Sequence, residues 1–273
     1  MEIYIVTVVL AVLVLYLIMI MPRMFQRPDS KPFDGWLYAH RGLHDNEGMA
    51  PENSLQAFQL AVDHGYGIEM DIQLSKDKIP VVFHDYRLKR VCGVDKRVDE
   101  LTLKELKKLR LYHSKETIPT LEEALTLING RTPIIVEFKV EHTELSLCPE
   151  AAKLLDHYKG VYCMESFNPL AVRWYKKHRN RVMRGQLASN FCKDKEEGNQ
   201  VFYFLLGNLL FHWLGKPDFV SYNYKYPNQL SLLLCRKLFA LPTAAWTVKN
   251  QTDFEESKKN FRWIIFDSFL PKE

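Results

Sequence analysis

The sequence lacks the features of nucleic-acid-binding and disulfide-stabilised proteins. Its net charge is only +4, with 37 Lys and Arg against 33 Asp and Glu, whereas nucleic-acid-binding domains concentrate basic residues on one face. The five cysteines include no Cys-x-x-Cys pair, so neither a disulfide framework nor a zinc ribbon is indicated. We therefore expect reduced thiols and no nucleic-acid partner.

One long uncharged run begins near the N-terminus. Residues 3–21 contain no charged side chain and are rich in Val, Leu and Ile, and about 20 apolar residues are needed to cross a bilayer. The run has neither the basic start nor the small-x-small cleavage site of a signal peptide. It predicts a single transmembrane anchor at residues 1–22.

The flanking charges predict the topology of this anchor. Arg23, Arg27 and Lys31 follow the run, and no Lys or Arg precedes it. The positive-inside rule then places the rest of the chain in the cytoplasm. We expect a linker at residues 23–35 and one domain at residues 36–273.

Strand-like and helix-like segments alternate through that domain. Apolar or β-branched runs predict eight strands, at residues 36–39, 67–74, 133–139, 160–166, 181–188, 218–222, 243–248 and 263–267. Capping boxes predict helices that begin after Thr102, Thr120 and Thr252. The pattern favours an α/β fold of the TIM-barrel type, (β/α)8. The alternative is an open doubly wound sheet, but no Gly-x-Gly-x-x-Gly loop follows the first strand.

A small insertion interrupts the alternation after the second strand. Residues 69–74 are followed, after the turn 75–78, by a further extended run at residues 79–84. A connection this short cannot make a parallel crossover, so we expect an antiparallel hairpin. With its turn centred near Asp77, the hairpin brings His84 beside Glu69 and Asp71.

Residues 198–215 form an unusually apolar connection. The apolar stretch is too short to span a bilayer. It is either a helix that covers the barrel with a wide apolar face or an element that dips into the membrane beside the functional face.

Polar residues occupy the predicted C-terminal ends of the strands, where barrel enzymes place their chemistry. Glu69 and Asp71 share one strand face, as do Glu137 and Lys139. Converging carboxylates repel one another unless a cation lies among them, and oxygen ligands suit Mg²⁺ or Ca²⁺ better than zinc. Two histidines, His40 at the end of the first strand and His84 at the end of the hairpin, have no paired nucleophile and indicate acid–base chemistry on an ester. Taken singly, the Glu137–Lys139 pair also fits a structural salt bridge.

Four segments together resemble the glycerophosphodiester phosphodiesterase family. They are HRGLHDNEGMAPENS at 40–54, GIEMDIQLSKDKIPVVFHD at 67–85, IPTLEEAL at 118–125 and VEFK at 136–139. The resemblance covers residues 36–273 and is to membrane-anchored bacterial-type members. It implies a barrel related to that of phosphatidylinositol phospholipase C. It also implies metal-dependent hydrolysis of glycerophosphodiesters, or of lysophospholipids, to an alcohol and glycerol 3-phosphate or lysophosphatidic acid.

The resemblance also implies roles for individual residues. It assigns acid–base catalysis to His40 and His84, a divalent metal to Glu69, Asp71 and Glu137, and substrate or phosphate binding to Arg41, Lys139 and Trp246. The chain departs from the family at the hairpin turn, where Asp77-Lys78 replaces Asp-Gly, and at Phe266-Asp267-Ser268, which lacks a threonine. Two alternatives stay open: a lyase that forms a cyclic phosphate, and a non-catalytic, membrane-tethered barrel that binds head groups.

Overall fold

Eight parallel strands close into a barrel in the computed structural model, which describes residues 1–272. The strands are β1 (Leu37–His40), β2 (Gly67–Leu74), β3 (Pro80–Val82), β4 (Ile134–Phe138), β5 (Tyr162–Ser166), β6 (Arg184–Ala188), β7 (Phe219–Asn223), β8 (Thr243–Val248) and β9 (Trp263–Phe266). Strand β1 pairs with both β2 and β9, which closes the barrel, and only β3 lies outside it. The predicted TIM-type barrel is therefore confirmed, and the open sheet is excluded. Glu273, the last residue of the predicted domain, lies outside the described residues.

Helices surround the barrel and one long helix precedes it. They are α1 (Glu2–Ile20), α2 (Leu55–Asp63), α3 (Lys89–Cys92), α4 (Leu103–Leu106), α5 (Leu121–Ile128), α6 (Leu147–Leu155), α7 (Pro169–His178), α8 (Phe191–Asp194), α9 (Gln200–Gly207), α10 (His212–Gly215), α11 (Leu230–Lys237) and α12 (Gln251–Lys258). Two short 3-10 helices occupy Lys31–Phe33 and Val98–Glu100. The five cysteines are free thiols, as expected.

Helix starts follow the sequence signals in two of three cases. Thr102 and Thr120 form the predicted capping boxes at α4 and α5. The predicted start at Thr252 is wrong, because α12 begins at Gln251 and its cap is Asn250. The Asn250 side chain accepts a hydrogen bond from the Asp253 backbone N–H, so a cap two residues upstream outcompetes the Thr-x-x-Glu signal.

The hairpin after β2 has the predicted form. Strand β3 is antiparallel to β2, with Ile72 opposite Val82, and the Phe83 backbone N–H donates to Asp71 O at 2.9 Å. The same register brings the next residue, His84, opposite Met70. Residues 83–118 then pack a small core of their own under the hairpin, formed by Phe83, Leu88, Val91, Val98, Leu106, Leu111 and Ile118.

Helix α1 is long and apolar enough to cross a membrane. Residues 2–15 are exposed, whereas Tyr16, Leu17 and Ile20 pack against α11 and the outer faces of β7 and β8. The His212 ring donates through Nδ1 to Ile20 O at 2.9 Å, and Lys216 Nζ donates to Met21 O at 3.0 Å. The end of the helix is therefore part of the barrel wall.

The hairpin turn yields a prediction about stability. Lys78, which replaces the family's glycine, adopts φ +62°, a left-handed conformation that costs a residue with a Cβ about 1–2 kcal/mol. Glycine at this position would relieve the strain, but its greater freedom in the unfolded chain offsets part of the benefit. Lys78→Gly should therefore raise the free energy of unfolding by about 1 kcal/mol. Lys78→Ala, which keeps the Cβ, should not. Chemical denaturation in detergent micelles measures both, and equal values for the two variants would contradict the account.

The buried His212, which bonds to the end of α1, predicts that the stability of the folded chain depends on pH. Burial lowers the pKa of His212 to about 4, so the unfolded chain binds more protons than the folded one between about pH 6.5 and pH 4. Its contribution to stability is complete above pH 6.5 and falls by about 1.4 kcal/mol for each pH unit below it. The difference in unfolding free energy between wild type and His212→Gln should follow this slope. Parallel pH profiles would contradict it.

Candidate active site

The candidate site is a layer of polar side chains directly above an apolar plug inside the barrel. The plug is formed by alternate strand residues, namely Tyr38, Ile135, Cys163, Phe219 and Ile265. Side chains two positions further along a strand lie on the same face. Each plug residue is therefore followed, toward the C-terminal end of its strand, by a polar one: His40, Glu137, Glu165, Ser221 and Asp267.

Three buried carboxylates converge in this layer. Asp71 lies opposite Glu137 in the register of β2 and β4, and oxygen atoms of Glu69, Asp71 and Glu137 lie within 4.8 Å of one another. Burial and the charges of its two neighbours raise the pKa of Glu69 well above its ordinary value. A bound cation would offset the repulsion between these carboxylates, and carboxylate oxygens are the ligands that Mg²⁺ and Ca²⁺ prefer.

Two basic side chains lie against the carboxylates. Lys139 Nζ is 2.9 Å from Asp71 Oδ1 and 2.6 Å from Glu137 Oε1. Arg41 Nη1 donates to Glu52 Oε1 at 2.7 Å, and its Nε lies 3.4 Å from Asp71 Oδ2. The Glu137–Lys139 salt bridge considered from the sequence is thus present. Both basic side chains also line the cavity of the site.

Each of the two predicted catalytic histidines is oriented by an aspartate. His40 Nδ1 lies 3.1 Å from Asp267 Oδ2, and His84 Nδ1 lies 2.6 Å from Asp85 Oδ1. A carboxylate at Nδ1 favours the tautomer that carries its proton there, which leaves Nε2 for other partners. His40 Nε2 lies 3.9 Å from Glu69 Oε2. Both imidazoles line one cavity of about 390 Å³.

Asp267 joins a second histidine to this arrangement. His44 Nε2 lies 3.0 Å from Asp267 Oδ1, so the carboxylate bridges two imidazoles. Burial and the charge of Arg41 lower the pKa of His40 to about 4. Sequence reasoning placed Asp267 at a strand end but gave it no role, and it did not single out His44. The His-x-x-x-His spacing in the first motif was the available signal.

Two amides position the site through contacts that the sequence did not predict. Asn53 Nδ2 donates to Asp71 Oδ2 at 2.8 Å, so it holds one carboxylate of the cluster. Gln73 Nε2 donates to three successive carbonyl oxygens, those of residues 83, 84 and 85, at 2.9, 3.1 and 2.8 Å. This amide fixes the backbone that carries His84. Gln73 lies two residues after Asp71 on β2, so the alternation of side chains along the strand places it on the same face as Asp71. That spacing was the available signal for its role.

Glu52 organises the basic side of the cavity. Its carboxylate accepts hydrogen bonds from Arg41, Arg90, Asn46 and Tyr112. Burial alone would raise the pKa of Glu52, but the hydrogen bonds from Arg90 and the charge of Arg41 outweigh it and lower the pKa to about 2. Glu52 is therefore ionised and fixes the guanidinium of Arg41 beside the carboxylate cluster.

A fourth carboxyl group and an aromatic wall complete the cavity. Glu165 lies beside Glu137 in the register of β4 and β5, and burial raises its pKa to about 8, so it is largely protonated at neutral pH. The Trp246 ring packs edge-on against Phe167, with centroids 5.4 Å apart. Its Nε1 is buried and has no hydrogen-bond partner within residues 1–272.

The cavity opens sideways into a groove of mixed character. Phe167 and Trp246 line both the cavity and the groove, which continues past Phe202 and Tyr203 of α9. Beyond them its walls are mostly apolar and include Val140, Leu170, Phe202, Phe211 and Leu214. Two other polar side chains, on β6 and β7, make contacts away from the carboxylates. Asn223 borders the groove, and Gln186 donates to the carbonyl oxygens of residues 166 and 167.

Comparison with known proteins identifies relatives that match part of the chain. A glycerophosphodiester phosphodiesterase of Bacillus altitudinis is 36% identical over 114 residues, which are 39% of this chain and 45% of that protein. Human glycerophosphodiester phosphodiesterase 1 is 40% identical over 112 residues, 37% of this chain and 33% of that one. Such matches cover about half, or less, of the length of these curated relatives.

The fold and a family model extend the likeness over most of the chain. An Oleispira antarctica phosphodiesterase, solved with its product sn-glycerol-3-phosphate, superposes with a TM-score of 0.70 at 24% identity. The superposition covers 86% of this chain and 93% of that one, and at this identity it shows a shared fold. The model of the glycerophosphoryl diester phosphodiesterase family matches residues 40–268. The chain therefore belongs to this family of enzymes.

Proposed function

We propose that the protein hydrolyses glycerophosphodiesters to an alcohol and glycerol 3-phosphate, with a divalent metal and two histidines. One observation carries the proposal. Two imidazoles, each oriented through Nδ1 by an aspartate, line the same cavity as three converging carboxylates. Family membership supports the reaction class, and the product bound to the Oleispira antarctica protein belongs to the same chemical class.

The donor set fits a hard divalent cation. Glu69, Asp71 and Glu137 would hold Mg²⁺ or Ca²⁺ through oxygen ligands, because their oxygen atoms lie within 4.8 Å of one another. When bound, such a cation polarises the phosphodiester and neutralises the charge that develops on it. Asn53 holds Asp71 in place for this role.

The chain's own residues divide the remaining work. Arg41 and Lys139 bind the non-bridging phosphate oxygens, because both present cationic groups to the cavity next to the carboxylates. One imidazole accepts a proton through Nε2 from the oxygen that attacks phosphorus. As the bond between phosphorus and the alcohol oxygen breaks, the other imidazole donates a proton to that oxygen. Trp246 lies on the wall of the cavity with a free indole N–H, where it can contact the glycerol moiety.

The proposal includes lysophospholipids among the substrates. The catalytic cavity continues into a groove with apolar walls, whereas a soluble glycerophosphodiester has no apolar chain to fill it. The exposed residues 2–15 of α1 would enter a membrane, and the barrel, against which the end of α1 packs, would lie in the cytoplasm. A lysophospholipid would then yield lysophosphatidic acid by the same cleavage.

Phosphorus NMR of glycerophosphocholine incubated with the protein tests the catalytic assignment. With Mg²⁺ or Ca²⁺ the protein should release glycerol 3-phosphate, and EDTA should stop the reaction. His40→Ala and His84→Ala should each lower turnover by about 10²–10⁴-fold, the usual contribution of acid–base catalysis. His64→Ala, which changes an exposed histidine on α2, is the matched control and should keep wild-type turnover.

Three results would contradict the proposal. Near-normal activity in folded His40→Ala or His84→Ala would remove the acid–base roles. A stable cyclic phosphate in place of glycerol 3-phosphate would make the protein a lyase. No turnover by folded wild type with either metal, together with phosphate-ester binding, would make it a head-group-binding barrel.

A further inference from the structure

The direction of α1 along the barrel wall determines which face a membrane meets. Ile20 O lies 3.5 Å from Cys235 Sγ, and one turn earlier Tyr16 lies beside Ser231. Equal steps of four residues on both helices mean that α1 and α11 run parallel. Because α11 follows β7 and precedes β8, it runs from the C-terminal to the N-terminal ends of the strands. The free end of α1 therefore points past the C-terminal ends, where the active site lies.

Contacts after the helix confirm this direction. The Arg23 backbone N–H donates to Pro217 O at 3.1 Å, just before β7 begins. Arg27 Nη2 donates to Phe239 O at 3.0 Å, in the connection that leads to β8. The chain has therefore reached the N-terminal ends of the strands by residue 23, at the end of the barrel opposite the active site.

The free part of α1 continues into its docked part without a linker. Residues 2–15 are exposed, whereas Tyr16, Leu17 and Ile20 of the same helix pack against the barrel. Because the helix leaves the barrel wall at the C-terminal ends of the strands, a bilayer that takes up its apolar part would lie against the rim of the catalytic face.

The same rim carries exposed apolar side chains. Helix α9 follows the C-terminal end of β6, and its Gly207 lies against Ser189 at that strand end. Val201 and Phe204 are 70% and 54% exposed and lie three residues apart on one side of the helix. At the end of α8 and just after it, Lys193 and Lys195 are offset by Asp194, Glu196 and Glu197, so apolar contact rather than net charge governs this surface.

The geometry points to a membrane-contact surface formed by the free part of α1 and the exposed side of α9, which seats the catalytic mouth against a lipid bilayer. The occupant of this surface is a bilayer of ordinary phospholipids. The groove lined by Phe202 and Tyr203 of α9 reaches Phe167 and Trp246, so an acyl chain from a lipid at this surface would lie along α9 with its head group toward the cavity. This inference rests on the proposed function for its substrate, but not for the orientation itself.

Fluorescence of a label on α9 tests the orientation without measuring activity. The full chain carrying Cys192→Ser, which removes an exposed thiol, and Phe204→Cys would be labelled with an environment-sensitive dye. It would then be reconstituted into phosphatidylcholine nanodiscs that contain a lipid-borne quencher. The matched control is Leu238→Cys, which is 57% exposed at the opposite end of the barrel, where α11 ends.

The expected result is a blue-shifted, quenched label at position 204 and an aqueous, unquenched label at position 238. Aqueous spectra at both positions would overturn the inference, as would quenching at both, because the barrel would then lie on its side. A label at 204 that is shielded but not quenched by lipid would indicate a second copy of the chain on this surface and would also overturn it.

Activity gives a second reading that separates this inference from the proposed function. Phe204→Asp should lower hydrolysis of lysophosphatidylcholine in phosphatidylcholine vesicles by about tenfold or more, because a charge is costly at an apolar interface. Hydrolysis of soluble glycerophosphocholine should stay within twofold of wild type. Equal effects on both substrates would overturn the membrane surface and leave the chemistry intact. Absence of both activities in wild type would refute the proposed function alone.

Discussion

The structure depends on the burial of negative charge at the centre of the barrel. Glu69, Asp71 and Glu137 lie within 4.8 Å of one another in a layer that water scarcely reaches. Burying ionised carboxylates is costly unless each is paired or hydrogen-bonded. Lys139 forms ion pairs with two of them, and burial together with the charges of Asp71 and Glu137 raises the pKa of Glu69. A divalent cation among these oxygen atoms would offset the repulsion between the carboxylates.

The remainder of the site is built to keep these charged groups in fixed positions. The apolar plug fills the interior of the barrel toward the N-terminal ends of the strands. The polar side chains on the same strand faces therefore line the open, C-terminal end of the barrel. Asp267 and Asp85 orient the two imidazoles, and Gln73 fixes the loop that carries one of them. Glu52 holds a guanidinium beside the cluster. Preorganisation of this kind lowers the cost of reorienting groups during the reaction.

The sequence predicted the elements whose signals are local. Eight strands, the hairpin and the proximity of His84 to Asp71 follow from periodicity and turn length. The contacts made by Asp267, Asn53 and Gln73 could not be predicted, because the partners lie between 10 and 227 residues away in the sequence. The packing of the end of α1 against the barrel could not be predicted from the sequence either. An apolar run that spans a membrane and one that packs on a barrel have the same composition.

Calorimetric titration of Mg²⁺ and Ca²⁺ into the metal-free protein tests the central claim most directly. The account predicts one ion for each folded chain, released competitively by EDTA. Glu69→Gln keeps the shape of the side chain but removes a ligand charge, so it should weaken binding by about tenfold or more. Folded wild-type protein that binds neither ion, or a Glu69→Gln variant that binds it as tightly as wild type, would contradict the claim that the buried carboxylates hold a catalytic cation.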